Sequence, residues 1–229
     1  MGPVPEANVE LIDLGYDGWF EDQMKQMGQP GCTPARVVAA DRDRYLVRDA
    51  ERCAPAELSG RLSYCAQSAA ELPCVGDWVA VQFHDVVPHG VIHGVLERRS
   101  VLRRKAAGKR IDYQYMAANV DVAFVLQSCA GDFNLRRLER YVVVARDGNI
   151  QPVLILSKTD LVGPGDLESL VARVREAYGE LPVVALSNVS ADGLHGLLNV
   201  LAPRKTYCLL GSSGVGKTTL LNRLMGREA

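Results

Sequence analysis

No stretch of this chain is apolar for long enough to cross a bilayer, and Met1 is not followed by a basic-then-apolar leader. A membrane-spanning or secreted protein is therefore not expected, and the cytoplasm is the default address. An excess of charge of either sign is also missing. With 26 Lys and Arg against 27 Asp and Glu, the formal net charge is −1, so any nucleic-acid contact must come from a local patch and not from a global field. Cys32, Cys53, Cys65, Cys74, Cys129 and Cys208 are scattered with no Cys-x-x-Cys pair, which argues for free buried thiols and against a zinc site. His84, His89 and His93 fall close together. On a strand-rich segment, however, that spacing does not set three imidazoles on one face with an acidic fourth ligand.

What is present is a chain of 229 residues, 48% hydrophobic, long enough for one large or two modest domains, each with its own core. Leu11 to Met27 reads as a short helical arm broken by glycines. From Pro34 to about Glu97 come short strands separated by turns: Ala35 to Ala40, Arg44 to Arg48, Arg61 to Ala66, Val75 to Phe83 and Gly90 to Leu96. Such a run predicts a small β-barrel, with Trp78 as a barrel-core or corner aromatic. From Arg98 to Arg110 follow seven basic residues and no acid, namely Arg98, Arg99, Arg103, Arg104, Lys105, Lys109 and Arg110. This is the one strong local field, and on composition alone a solvated linker and an RNA-phosphate contact are equally good readings of it.

After Asn119 the rhythm becomes strand and helix in alternation. Val120 to Gln127, Pro152 to Leu156, Pro182 to Leu186 and Thr206 to Leu210 read as strands. Helices are expected after Leu135, from Asp166 to Tyr178 and from Gly193 to Leu201. This alternation predicts a parallel sheet with helices on both faces, which binds ligands at the carboxyl ends of its strands. The last strand runs into Gly211-Ser212-Ser213-Gly214-Val215-Gly216-Lys217-Thr218-Thr219, a complete phosphate-binding loop between a strand and a helix. Its glycines let successive N–H groups face one concave side, and the helix N-terminus adds partial positive charge. Lys217 is placed to clamp terminal phosphates, and the Thr218 hydroxyl to ligate Mg²⁺.

Two earlier loops complete the pattern. Ser157-Lys158-Thr159-Asp160 resembles the Asn-Lys-x-Asp motif of GTP-binding proteins, whose aspartate accepts hydrogen bonds from guanine and leaves adenine unmatched. Ser187-Asn188 stands where those proteins carry a second base-contacting loop. Taken singly, these two loops could equally be a helix cap and a turn.

The order of the motifs, with both base loops ahead of the phosphate loop, resembles a circularly permuted GTPase. The segments Val75-Gly76-Asp77-Trp78-Val79, Leu96 to Gly108, Ala117-Ala118-Asn119-Val120-Asp121 and Asp132 to Tyr141 closely resemble the ribosome small subunit-dependent GTPase A family. That resemblance covers about Pro34 to the C-terminus. It implies an OB-fold barrel, a permuted P-loop GTPase domain and a C-terminal zinc-binding domain, acting with GTP/GDP and Mg²⁺ in late maturation of the small ribosomal subunit. The expected fold class is thus multidomain, β plus α/β. Residues 1–33 are expected to form the arm, 34–98 the barrel, 99–118 a basic linker and 119–229 an incomplete GTPase domain, and the resemblance implies that the barrel and the stretch Arg98 to Arg110 touch 16S rRNA. No residue here matches the family's zinc ligands, so Zn²⁺ is expected only in a C-terminal domain that is missing. The chain is expected to be a monomer.

Two departures from the family pattern stand out. Ser157 replaces the asparagine of the base motif, which should keep guanine selectivity through Asp160 and lower affinity by about 1 kcal/mol. Between Thr219 and Ala229 there is no switch threonine, no Asp-x-x-Gly anchor for Mg²⁺ and no strand to carry one. Phosphoryl transfer depends on such parts to place water and clamp the γ-phosphate, so an incomplete, hydrolysis-deficient form of the GTPase is expected. Two alternatives remain open: a stand-alone RNA-binding module with a vestigial nucleotide loop, and an ATP-specific P-loop enzyme.

Overall fold

Glycines divide the N-terminal arm as its sequence implies. In the structure, a computed structural model that describes residues 9–42, 44–84, 89–105, 113–131, 133–190 and 192–227, a 3-10 turn over Leu11–Leu14 ends at Gly15, whose φ is 87°. Helix α1 (Gly18–Met27) then starts at Asp17, whose carboxylate accepts from the Trp19 N–H, an N-cap that satisfies one of the orphan donors of the first turn. The chain forms two compact units, residues 1–120 and 121–229.

In the first unit, β1 (Thr33–Asp41), β2 (Arg44–Arg48), β3 (Cys53–Leu58), β4 (Trp78–Phe83) and β5 (Gly90–Val95) close into a barrel of order β1-β2-β3-β5-β4. Alternate residues point inward and pack together: Ala35, Val37, Tyr45, Val47, Ala56, Val79, Val81 and Ile92. Trp78 lies outside this interior. It packs with Phe20 and Leu96 beneath Leu11, Leu14, Tyr16, Met24 and Met27, so the arm is the lid of a second apolar layer on the barrel wall.

The expected strand over Arg61 to Ala66 is instead helix α2 (Gly60–Cys65), capped by Ser59, whose Oγ accepts from the Leu62 N–H at 3.2 Å. The barrel's missing strand is β3. Its Ala-Pro-Ala-Glu core has low strand propensity, and closure of the barrel overrides that preference. The stretch read as a linker holds a hairpin, β6 (Val101–Lys105) and β7 (Tyr113–Ala118), paired antiparallel. Gly76 makes the approach to this hairpin possible. Its φ is +91°, and a Cβ there would fall 2.1 Å from the Ala118 carbonyl oxygen.

The second unit is a parallel sheet of order β10-β9-β8-β11. It comprises β8 (Val122–Ser128), α3 (Leu135–Asp147), β9 (Gln151–Ser157), α4 (Pro164–Tyr178), β10 (Val183–Leu186), α5 (Leu194–Leu198), β11 (Tyr207–Gly211) and α6 (Lys217–Leu224). The two-residue strand period splits its apolar residues. Val122, Phe124, Leu126, Val153 and Ile155 pack on Leu197 and Leu220 on one face, and Val125, Leu154 and Leu156 pack on Leu138, Val142 and Val174 on the other. Each such side chain contributes about 1.5–3 kcal/mol by leaving water. Helix α5 covers only part of the expected Gly193 to Leu201 span.

All six cysteines are free. Burial, helped by nearby Asp77, pushes the Cys74 thiol up to about 12, and burial alone pushes Cys129 and Cys208 up to about 11. Only the thiolate attacks disulfides. At pH 8, an aromatic disulfide reagent should therefore label the exposed Cys65 first and reach the buried Cys74 and Cys129 only on unfolding, with the half-buried Cys208 reacting slowly in between. Rapid labelling of all six in the folded chain would contradict this burial.

Candidate functional site

Three loops leave the carboxyl ends of neighbouring strands in the second unit, and they carry the residues singled out in the sequence. The first follows β9. Ser157, the last residue of that strand, is fully buried. Lys158 then adopts a left-handed conformation with φ 60°, which turns the chain into a 3-10 turn over Thr159–Leu161. A non-glycine residue held there marks a backbone shaped by its surroundings. Asp160 projects from this turn, and its Oδ1 accepts from the Ser187 hydroxyl at 2.5 Å.

Ser187 opens the second loop, after β10. Its Oγ also accepts from the N–H groups of Val189 and Ser190, at 3.0 and 3.2 Å. Both lone pairs are thus used, and the hydroxyl proton goes to Asp160. Asn188 follows, and its Nδ2 donates to the Gly216 carbonyl at 3.2 Å. Its own carbonyl accepts from Arg223 Nη1 at 2.5 Å.

The third loop joins β11 to α6. Ser157 Oγ donates to the Val215 carbonyl in this loop at 2.7 Å, so the serine ties the loop after β9 to the phosphate loop. Lys217 Nζ donates to the carbonyls of Gly211 and Ser212, at 2.8 and 2.7 Å. Its ammonium is folded over the loop, where a phosphate would compete for it. Gly214 and Gly216 have φ of +78° and +94°, the left-handed region that lets consecutive N–H groups share one concave side. Ser213, Gly214 and Thr218 are exposed, while Ser212 and Thr219 are half-buried. An oxygen-ligated cation such as Mg²⁺ fits the exposed Thr218 hydroxyl in the first turn of α6.

The geometry therefore brings Ser157, Asp160, Ser187, Asn188 and the phosphate loop into one hydrogen-bonded group. The order along the chain is base loop, base loop, phosphate loop. A family model described as RsgA GTPase matches residues 95–229. The chain belongs to the RsgA GTPase family. The small ribosomal subunit biogenesis GTPase RsgA of Opitutus terrae is 39% identical over 226 residues, covering 95% of this chain and 61% of that protein. The RsgA of Xylella fastidiosa strain M12 is 38% identical over 200 residues, covering 86% and 58%. Among solved structures, YjeQ from Thermotoga maritima aligns with a TM-score of 0.68 and 25% identity, covering 83% of this chain and 64% of that one. YloQ, described as a circularly permuted GTPase, aligns at 0.64 and 25%, covering 83% and 63%. The chain thus spans about six-tenths of the length of these RsgA relatives, and its fold is the permuted GTPase sheet following a barrel.

The basic stretch divides in two, all within the first unit of this RsgA-family chain. Arg98 turns inward. Its Nε and Nη2 donate to both oxygens of Asp77 at 2.8 and 2.7 Å, and it also donates to the carbonyls of Ala70 and Leu72. Arg99 pairs with Asp17 at 2.7 Å and lies over the rings of Trp19 and Phe20, holding the arm. A phosphate contact expected at these two positions would have to displace those partners. Arg103 stacks over Tyr113 and Arg104 donates to Gln114 Oε1 on the hairpin. Lys105 ends β6, and Lys109 and Arg110 lie outside the described residues.

Two roles were not read from the sequence. The side-chain grip of Asn188 on Gly216 depends on a tertiary approach that no local pattern reports. The Arg98–Asp77 pair had a faint signal in the Gly76-Asp77-Trp78 turn, but a basic run hides which of its members turns inward.

Proposed function

We propose that this chain binds guanine nucleotides through the three loops and belongs to a protein that hydrolyses GTP while assisting maturation of the small ribosomal subunit. The observation that supports this most directly is the chain of hydrogen bonds from Asp160 through Ser187 and Asn188 to Gly216, together with Ser157 to Val215, which joins a base-reading carboxylate to a phosphate cradle. In this reading Asp160 accepts from the guanine ring, Lys158 lies along the base, and the N–H groups of residues 212–219 with Lys217 hold the phosphates. Thr218 holds Mg²⁺, which supplies charge neutralisation at the phosphates when bound.

We also assign the barrel to the OB class and the hairpin to the ribosomal RNA contact of a cytoplasmic, monomeric factor. Arg103, Arg104 and the basic residues beyond β6 meet phosphates, while Arg98 and Arg99 build the platform behind them. Hydrolysis needs a positioned water and a second metal anchor, and these 229 residues offer no Asp-x-x-Gly after the phosphate loop.

Titration with fluorescent GDP tests the reading. GTP and GDP should displace the label, ATP should not, and Lys217→Ala should weaken binding about tenfold by removing a charge-assisted contact. This chain should release no phosphate over multiple turnovers. Displacement by ATP as readily as by GTP, or turnover lost on Lys217→Ala, would each refute the corresponding part.

A further inference from the structure

Two consecutive carbonyls of the phosphate loop are each held by a different base loop. Val215 O accepts from Ser157 and Gly216 O from Asn188. Gly216 O also accepts the first helical bond of α6, from the Leu220 N–H at 2.9 Å, so Asn188 uses its second lone pair. On the far side, Arg223 Nη1 donates to the Asn188 carbonyl. One residue of the β10 loop therefore grips α6 near both of its ends.

The described chain has no cis peptide bonds. In a planar trans peptide the C=O and the following N–H point in opposite directions. Fixing the Gly216 carbonyl toward Asn188 fixes the Lys217 N–H away from it, and the Ser157 bond does the same for the Gly216 N–H. The approach is close: a Cβ on residue 216 would stand 2.8 Å from Asn188 Nδ2 and would push that amide aside, while the φ of +94° is what favours glycine there. Asn188 Oδ1 is buried with no hydrogen-bond partner among the described residues. The bond to Gly216 alone thus orients the amide.

We infer that Asn188 is a positioning residue for the nucleotide's phosphates: together with the helical bond from Leu220 it holds the Gly216 carbonyl and so aims the Lys217 N–H into the phosphate cradle, which makes the Asn188 side chain a determinant of phosphate affinity and not of base choice. This rests on the nucleotide-site reading above and deepens it. Ser187, its neighbour, serves Asp160 and hence the base. Two adjacent residues therefore control separable properties.

The test is competition of GDP, GMP and inosine diphosphate against fluorescent GDP on the full 229-residue chain. Asn188→Ala should lower the GDP-to-GMP affinity ratio about fivefold, the effect of one lost hydrogen bond, and leave the preference for GDP over inosine diphosphate unchanged. Ser187→Ala should do the reverse. Asn188→Leu, of similar volume and without the donor, should repeat the alanine result and guards against a folding defect from the truncation. An unchanged GDP-to-GMP ratio in both variants, or a loss spread equally over all three nucleotides, would overturn the assignment while leaving the site reading intact. Failure of the unmutated chain to bind GDP would overturn both.

Discussion

Asp77→Ala should destabilise the first unit by about 3–5 kcal/mol, the range for removing one member of a buried ion pair. Asp77 is 0% exposed and the Arg98 side chain 12%, so no water replaces the lost carboxylate. The substitution strips Arg98 of its fork and leaves the Cys74 N–H, which donates to Asp77 Oδ2 at 2.7 Å, without its acceptor. Arg98 would remain tied to the Ala70 and Leu72 carbonyls and stacked over Tyr115, held in place as an unpaired cation. The chain's two tryptophans, Trp19 and Trp78, both lie in this unit. Urea unfolding followed by tryptophan fluorescence therefore reports the first unit by itself. The double variant with Arg98→Ala should lose less than the sum of the single losses, because it leaves no buried charge behind. Additive losses, or a cost below about 1 kcal/mol for Asp77→Ala, would show the pair to be no more than a surface bridge.

That result also bears on the proposed RNA contact. If Arg98 is structural, its replacement would act on the proposed RNA contact through the fold, whereas replacement of Arg103 or Arg104 on the hairpin would act through charge. The sequence shows seven positive residues in a row of thirteen, and positive charge looks the same whether it faces a phosphate or a buried carboxylate.

How much of the structure was legible depended on how local each signal was. The second unit was read almost element for element, because its strands are continuous apolar runs buried on both faces and its helices carry one clear stripe. Its phosphate loop is a contiguous motif whose spacing carries its own chemistry. The barrel was harder. β5 alternates cleanly and β1 does so as far as Val37, where its register shifts, but β3 contains Pro55 in an alanine-rich run, and only pairing with β2 and β5 makes it a strand. The Arg61 to Ala66 segment was read as a strand although Ser59 stands at the N-cap position three residues before Leu62. In the site, Asp160 and the phosphate loop were visible singly. Their connection through Ser187 and Asn188 was not, since it forms only when the ends of β9, β10 and β11 come together.

Asp160→Asn should lower GDP affinity about a hundredfold and make xanthosine diphosphate the better ligand. Ser187 decides the outcome. Its hydroxyl accepts from Val189 and Ser190 and has only a proton left to give, so an asparagine at this position must turn its oxygen to Ser187 and its nitrogen to the base. Guanine presents two N–H groups to that edge, and one of them would then meet a donor instead of a carboxylate oxygen. Losing charge-assisted hydrogen bonds worth about 1.5–3 kcal/mol each makes roughly 3 kcal/mol, or two powers of ten. Xanthine carries an oxygen in place of the 2-amino group and so matches the new nitrogen. Asp160 is exposed, so unfolding should shift by no more than about 0.5 kcal/mol. Competition of GDP and xanthosine diphosphate against a labelled nucleotide measures the switch. Ser187→Ala in the asparagine background should blunt it, because the amide is then free to turn its oxygen back toward guanine. Unchanged selectivity in Asp160→Asn would remove the loop after β9 from base recognition altogether.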